Sequence, residues 1–210
     1  MRTAPPALAG RVAQRPGLCE SGFTLVEFMI AAAITTAVLG ATVALAMQIQ
    51  QAYSTQLDDA AAEQEARYAL DWIARDLRSA GSDPYNIIPD NQEVWIDPNG
   101  GADTDDSIRV QADINNPDGV LDGDGENVTI AFDSVNNVIT RLDANADDPA
   151  AVAMTEGIFT DLRFTFLNSA GAVTTSPTLV AYVQVEVTAE SPGDRRTAST
   201  LATEIRLRTR

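Results

Sequence analysis

The sequence predicts an α+β chain: one long N-terminal helix, membrane-spanning in its first half, packed through its second half on a C-terminal antiparallel β-sheet head. Three observations predict it. Residues 23–80 contain no proline and one glycine, Gly40. The first part of that stretch is apolar and the second is amphipathic. Beyond Gly81 the pattern changes to short runs of alternating apolar and polar residues, separated by turns rich in Asn, Asp and Gly.

The helix begins with an apolar run. Between Gly22 and Met47 the only charge is Glu27. Residues 23–47 are enough to cross a hydrocarbon core of about 30 Å as a helix. The flank ahead of them carries Arg2, Arg11 and Arg15 against Glu20 alone, so the positive-inside rule places it in the cytoplasm. An ordinary secretory signal has a shorter apolar core with a small-residue cleavage site beyond it. Here the small residues Ser21-Gly22 precede the core, so a cut there leaves the anchor attached. A carboxylate within a membrane span costs roughly 2.5–3.5 kcal/mol on insertion scales, which makes Glu27 a functional candidate. A buried unpaired charge is penalised severely, so Glu27 needs a cation or a proton.

The string Gly22-Phe23-Thr24-Leu25-Val26-Glu27 resembles the class III signal of type IV pilins and type II secretion pseudopilins. The resemblance implies that a membrane prepilin peptidase cuts after Gly22 and methylates the new amine of Phe23. It also implies that Glu27, the fifth mature residue, aids assembly by pairing with the α-amine of Phe23 in a neighbouring subunit. Many pilins carry a helix-breaking proline in the apolar half. This chain reads Ala41-Thr42-Val43-Ala44-Leu45 there and leaves Gly40 as the only weak point.

An unbroken helix over residues 23–80 would be about 85 Å long. Residues 48–60 turn polar, which fits emergence from a bilayer. Ala66, Leu70, Ile73 and Leu77 then recur at three- and four-residue spacing, with Ala69 and Trp72 widening the stripe. Glu63 with Arg67 and Asp71 with Arg75 are i,i+4 pairs in the favourable order. Gly81 followed by Pro84 is a stop signal. Residues 66–81 also resemble the corresponding region of minor pilins of the PilW kind and of J-type pseudopilins. The expected organisation is a leader over 1–22, a membrane half over 23–47, an amphipathic half over 48–80 and a head over 81–210.

Composition bounds the function of the head. About 130 residues follow Gly81, enough for one compact domain. The chain has no histidine and no lysine, and its single cysteine, Cys19, would leave with the leader that the resemblance implies. The mature chain therefore forms no disulfide. Ser-His, Cys-His and Ser-Lys nucleophile systems and Schiff-base lysines are excluded, as are zinc sites built on His or Cys. The chain is thus expected not to be an enzyme. Net charge is −16. Loss of a leader with three arginines and one glutamate takes it to −18. Nucleic-acid binding is disfavoured, because phosphate contact needs clustered Lys or Arg. Only Arg195-Arg196 and the terminal Arg206, Arg208 and Arg210 offer any. The last three alternate with Leu207 and Thr209 and read as the solvent face of a strand.

Strands are expected at residues 108–112, 128–132, 138–142, 162–166, 180–188 and 201–207. Turns are expected at Asn136-Asn137 and at Asn168-Ser169-Ala170-Gly171. Between the first two strands lies an acidic, glycine-rich loop over residues 113–127. Hard cations such as Ca²⁺ take several oxygens from sharply turning loops. Asp118, Asp122, Asp124 and Glu126 are the candidate ligands, with Asp113 and Asn115 as further donors. The loop does not fit the EF-hand register: counted from Asp118, Gly123 falls on the sixth position, but Val120 takes the third and Thr129 the twelfth. A solvated acidic turn is the other reading. A second acidic cluster, Asp103-Thr104-Asp105-Asp106, reads as plain loop.

The resemblance implies a minor type IV pilin, structural and assembly-directing, with other pilin subunits, the prepilin peptidase and an inner-membrane assembly platform as partners. It would start as a single-pass inner-membrane precursor and end in a pilus at the cell surface. It requires no cofactor, with Ca²⁺ as the one candidate ion. Two other readings stay open: a minor pseudopilin of type II secretion, and a signal-anchored surface adhesin or Ca²⁺-binding module that never polymerises.

Overall fold

A computed structural model describes residues 22–88, 94–96, 105–115, 118–191 and 197–208. Residues 1–21, most of the expected leader, lie outside the described residues, and with them Cys19, Arg2, Arg11 and Arg15. So do Asp103, Thr104, Arg195, Arg196, Thr209 and Arg210.

A single helix, α1, runs Leu25–Ser79. It passes through Gly40 without interruption, as a proline-free run of good helix formers allows. The apolar half is long and apolar enough to cross a membrane. Its hydroxyls are satisfied within the helix: Thr35 and Thr36 donate to the carbonyls of Ala31 and Ala32 at 2.7 Å, and Thr42 donates to that of Leu39 at 2.8 Å. Such back-bonding is what an apolar solvent demands of Thr. The chain forms two compact units, divided after Ile49. In the first unit every described side chain is exposed, from Phe23 through Ile34 and Leu39 to Ile49.

Among the described residues the second unit contains the rest of α1 and eight strands. On the helix, the buried residues are Ala62, Ala66, Ala69, Leu70, Trp72, Ile73, Ala74 and Leu77, the expected stripe joined by Ala62 and Ala74. Gly81 ends the helix at φ 72°, a left-handed conformation that glycine adopts without strain. Its N–H goes to the carbonyl of Gln111 at 3.0 Å, and the N–H of Asp113 goes to that of Ser82 at 2.7 Å. The helix terminus is thereby clipped to the end of a strand. Glu63 and Arg67 form their ion pair. Asp71 and Arg75 form none among the described residues; the longer-range pair is Asp76 with Arg141, at 2.9 Å.

Two antiparallel sheets stand where the sequence predicts one. The first is a meander of β1 (Val94–Ile96), β2 (Ser107–Gln111), β3 (Asn127–Asp133), β4 (Val138–Asp143) and β5 (Ala151–Ala153). The second is β6 (Phe159–Leu167), β7 (Tyr182–Glu190) and β8 (Ala198–Arg206). Pairings such as Ile108 with Ile130, Phe164 with Val185 and Val183 with Ile205 stack apolar side chains on one face of each sheet. Those faces and the stripe of α1 share one core. Two sheets arise because β6 does not extend the meander. Its Phe164 N–H bonds to the carbonyl of Asp105 at 2.7 Å, while the carbonyl of Asp106 accepts from Phe132 at 3.1 Å. Asp105 and Asp106, read from sequence as plain loop, are the seam between the sheets, and Arg163 adds an ion pair to Asp105 at 3.0 Å.

The β3–β4 connection is the expected turn. Asn137 sits at φ 57°, which Asn tolerates better than most residues. The Asp133 carboxylate accepts from the Asn136 side chain and from the Val135 and Asn136 N–H groups. These bonds, led by the Asn136 amide, hold its pKa below the usual carboxylate value.

Candidate functional site

Two places carry the residues singled out by sequence. At the head of α1, Gly22 and Phe23 precede the helix outside any regular element and are both exposed, and among the described residues nothing lies within 4 Å of where a Gly22 side chain would stand. Among the described residues nothing crowds the Gly22–Phe23 peptide bond. Thr24 is the N-cap: its carbonyl takes the first helical hydrogen bond, from Phe28, at 3.2 Å. The Glu27 N–H donates to Thr24 Oγ1 at 3.3 Å, and Glu27 Oε2 accepts from both the Thr24 N–H and the Thr24 hydroxyl at 2.9 Å. This is a capping box, in which each residue satisfies an otherwise orphaned donor of the other.

The box gives Glu27 a local role that the sequence reading did not assign. It fixes the carboxylate over the first turn of the helix, on the N–H and hydroxyl of Thr24, the residue that follows Phe23. The positive end of the helix macrodipole favours an anion there. The Thr-x-x-Glu spacing was itself the signal. Because the box begins at Thr24, a cut after Gly22 leaves all of its atoms in place.

The second place is the loop between β2 and β3. Glu126 is buried in it. Its Oε1 accepts from the N–H groups of Ile114 at 3.2 Å and Asn115 at 3.0 Å, and its Oε2 from that of Gly123 at 2.8 Å. Gly123 suits this approach: a Cβ there would crowd the site, 3.0 Å from Glu126 Cδ and 3.1 Å from the Asn115 carbonyl oxygen. Asp118, Asp122 and Asp124 are exposed, and Asp118 accepts from the Val120 N–H at 3.0 Å. The structure therefore separates the four candidate ligands, three at the surface and one inside. No three acidic side chains converge on a ready-made metal group among the described residues.

The loop is anchored at its far end. Gly125, at φ 83°, donates its N–H to Asp143 Oδ2 at 2.6 Å. Arg141 bridges Asp143 and Asp76 of α1. Asn145 Nδ2 donates to the carbonyls of Leu121 and Gly123. A chain of charge-assisted bonds thus runs from α1 through β4 into the loop. At the C-terminus, Arg206 is exposed while Leu207 is buried, the alternation expected of a strand end, and Arg208 donates to Ser82 Oγ at 3.4 Å.

No family model matches this chain, and neither does a curated protein or a solved structure.

Proposed function

We propose that the chain is a minor type IV pilin: a single-pass inner-membrane precursor that is cut after Gly22, methylated on Phe23 and then added to a fibre. The observation that carries this reading is the setting of Glu27, a carboxylate held on the first turn of an apolar helix, beside an exposed Gly22–Phe23 bond. Cleavage creates an α-amine on Phe23. In a low-dielectric setting such an amine and a carboxylate each need a partner of opposite charge. In the fibre the Phe23 amine of one subunit meets Glu27 of the next. The exposed apolar face of α1 through Ile49 packs against like helices once it leaves the lipid. The β-rich unit forms the surface of the fibre. The partners are other pilin subunits, the processing peptidase and the assembly platform.

Because Glu27 also caps its helix, the test must separate charge from capping. Gln retains the capping-box geometry and removes the charge. Glu27→Gln is expected to be processed normally, while its incorporation into sheared fibres falls by about tenfold or more, as for a buried pair that loses one partner. Glu27→Ala should behave the same way. Normal incorporation of Glu27→Gln would reduce Glu27 to a helix cap and remove its role in assembly.

A further inference from the structure

Two fully buried carboxylates stand at the base of the 113–126 loop, Asp113 and Glu126, each about 1 % exposed. Their surroundings differ. Glu126 takes three backbone N–H groups and is satisfied. Asp113 Oδ2 takes one long bond, from Gly119 at 3.3 Å, and its Oδ1 is buried with no hydrogen-bond partner among the described residues. Buried carboxylates are ordinarily paired with a cation, fully hydrogen-bonded or bound to metal. Lys and His do not occur in this chain. Arg141, which reaches the loop at Gly125, is held by Asp76 and Asp143.

We propose that Asp113 is the buried anchor of a Ca²⁺ site completed by acids of the same loop. The bond from Gly119 to Asp113 holds the Asp118-Gly119 turn against that carboxylate, at a glycine with φ 84°. Asp118 is thereby the second ligand, and Asp122, Asp124 and the Asn115 amide are the remaining side-chain oxygen donors. Glu126 is not a ligand, because both of its oxygens are committed to the main chain. It shapes the loop instead. A flexible shell of carboxylate, amide and carbonyl oxygens suits Ca²⁺, which accepts 6–8 ligands in irregular geometry, better than Mg²⁺, which demands a near-ideal octahedron. The exposed acids must close onto the ion, so affinity falls in the range of extracellular modules, with Kd of about 10⁻⁴–10⁻³ M.

The test is thermal unfolding of the full-length chain in detergent, stripped with a chelator and titrated with CaCl₂ or MgCl₂ to about 5 mM, a few-fold or more above the expected Kd. Ca²⁺ is expected to raise Tm by about 3–8 °C, and Mg²⁺ by less. Asp113→Asn should abolish the Ca²⁺ shift, while Asp147→Asn, at an exposed site outside the loop, should leave it intact. Should Asp113→Asn not fold, the double variant Asp118→Asn/Asp122→Asn alters only exposed residues and should lose most of the shift. Absence of a Ca²⁺ shift in the unaltered chain would overturn the proposal. So would an undiminished shift in Asp113→Asn or in the double variant.

Discussion

Glu126→Ala is expected to destabilise the β-rich unit by about 3–5 kcal/mol, the range for breaking a buried charge from its partners. The substitution leaves the N–H groups of Ile114, Asn115 and Gly123 without their acceptor. It also empties the space around which the loop folds, at a point where Ala112 and Glu126 are bonded through their main chains. Glu126→Gln separates the two effects. The amide keeps the volume but offers one acceptor oxygen, so its NH₂ must face a backbone donor. Gln should therefore lose at least half of what Ala loses. Gly123→Ala should fail in the same direction, because its Cβ would stand against the glutamate. Thermal or urea unfolding followed by tryptophan fluorescence measures all three. A Glu126→Ala variant within about 1 kcal/mol of the unaltered chain, the net value of one ordinary hydrogen bond, would show that the carboxylate does not organise the loop.

Ile73→Ala is expected to cost about 3–4 kcal/mol, in the range for truncating a buried Ile to Ala. Ile73 is fully buried on the stripe of α1 and belongs to the core that both sheets share. Its neighbours on the helix face are small: Ala62, Ala66, Ala69 and Ala74 are all buried. Ile73 and Leu77 are the fully buried large side chains of the stripe, with Leu70 and Trp72 buried beside them. A close-packed interface of this kind relaxes little into a void. Tyr68→Ala, on the exposed face at 53 % accessibility, is the control and should change stability by less than about 1 kcal/mol. Domains of this size are stable by only about 5–15 kcal/mol, so Ile73→Ala removes a large share.

The elements with long, regular patterns were legible in the sequence. The helical stripe, the Gly81 stop and the alternation in β2, β3, β6 and β7 all follow from one period and one punctuating residue. What escaped is what period cannot carry. β5, Ala151–Ala153, is three residues long and wholly exposed, so it has no alternation to show. Its counterpart β1 is as short. β7 begins at Tyr182 rather than Val180, because Pro177 opens a short 3₁₀ turn and the Val180 N–H closes onto the Pro177 carbonyl at 3.3 Å. The division into two sheets depends on main-chain bonds from Asp105 and Asp106, and backbone carbonyls leave no mark in composition. The pair of Asp76 with Arg141 spans 65 residues and is equally silent.

The loop shows the same boundary more sharply. Its acidity and glycines were visible, but burial sorts the acids: Glu126 and Asp113 go inside, and Asp118, Asp122 and Asp124 stay out. Which acid goes where depends on β2 and β3 meeting in register, with Gln111 opposite Asn127. At Glu27 the omission was of another kind. The cost of a carboxylate in an apolar run directs attention to a distant cation, whereas the nearest partner stands three residues away at Thr24.

If the chain is processed as proposed, a cut exposes the N-terminus of this helix and spares the apolar run. Mass spectrometry of the mature protein, isolated from cells with its processing enzymes, tests it most directly. The expected N-terminal peptide begins with N-methylated Phe23, lacks residues 1–22 and retains Glu27. A chain beginning at Met1, or one cut beyond the apolar run so that Glu27 is lost, would contradict it.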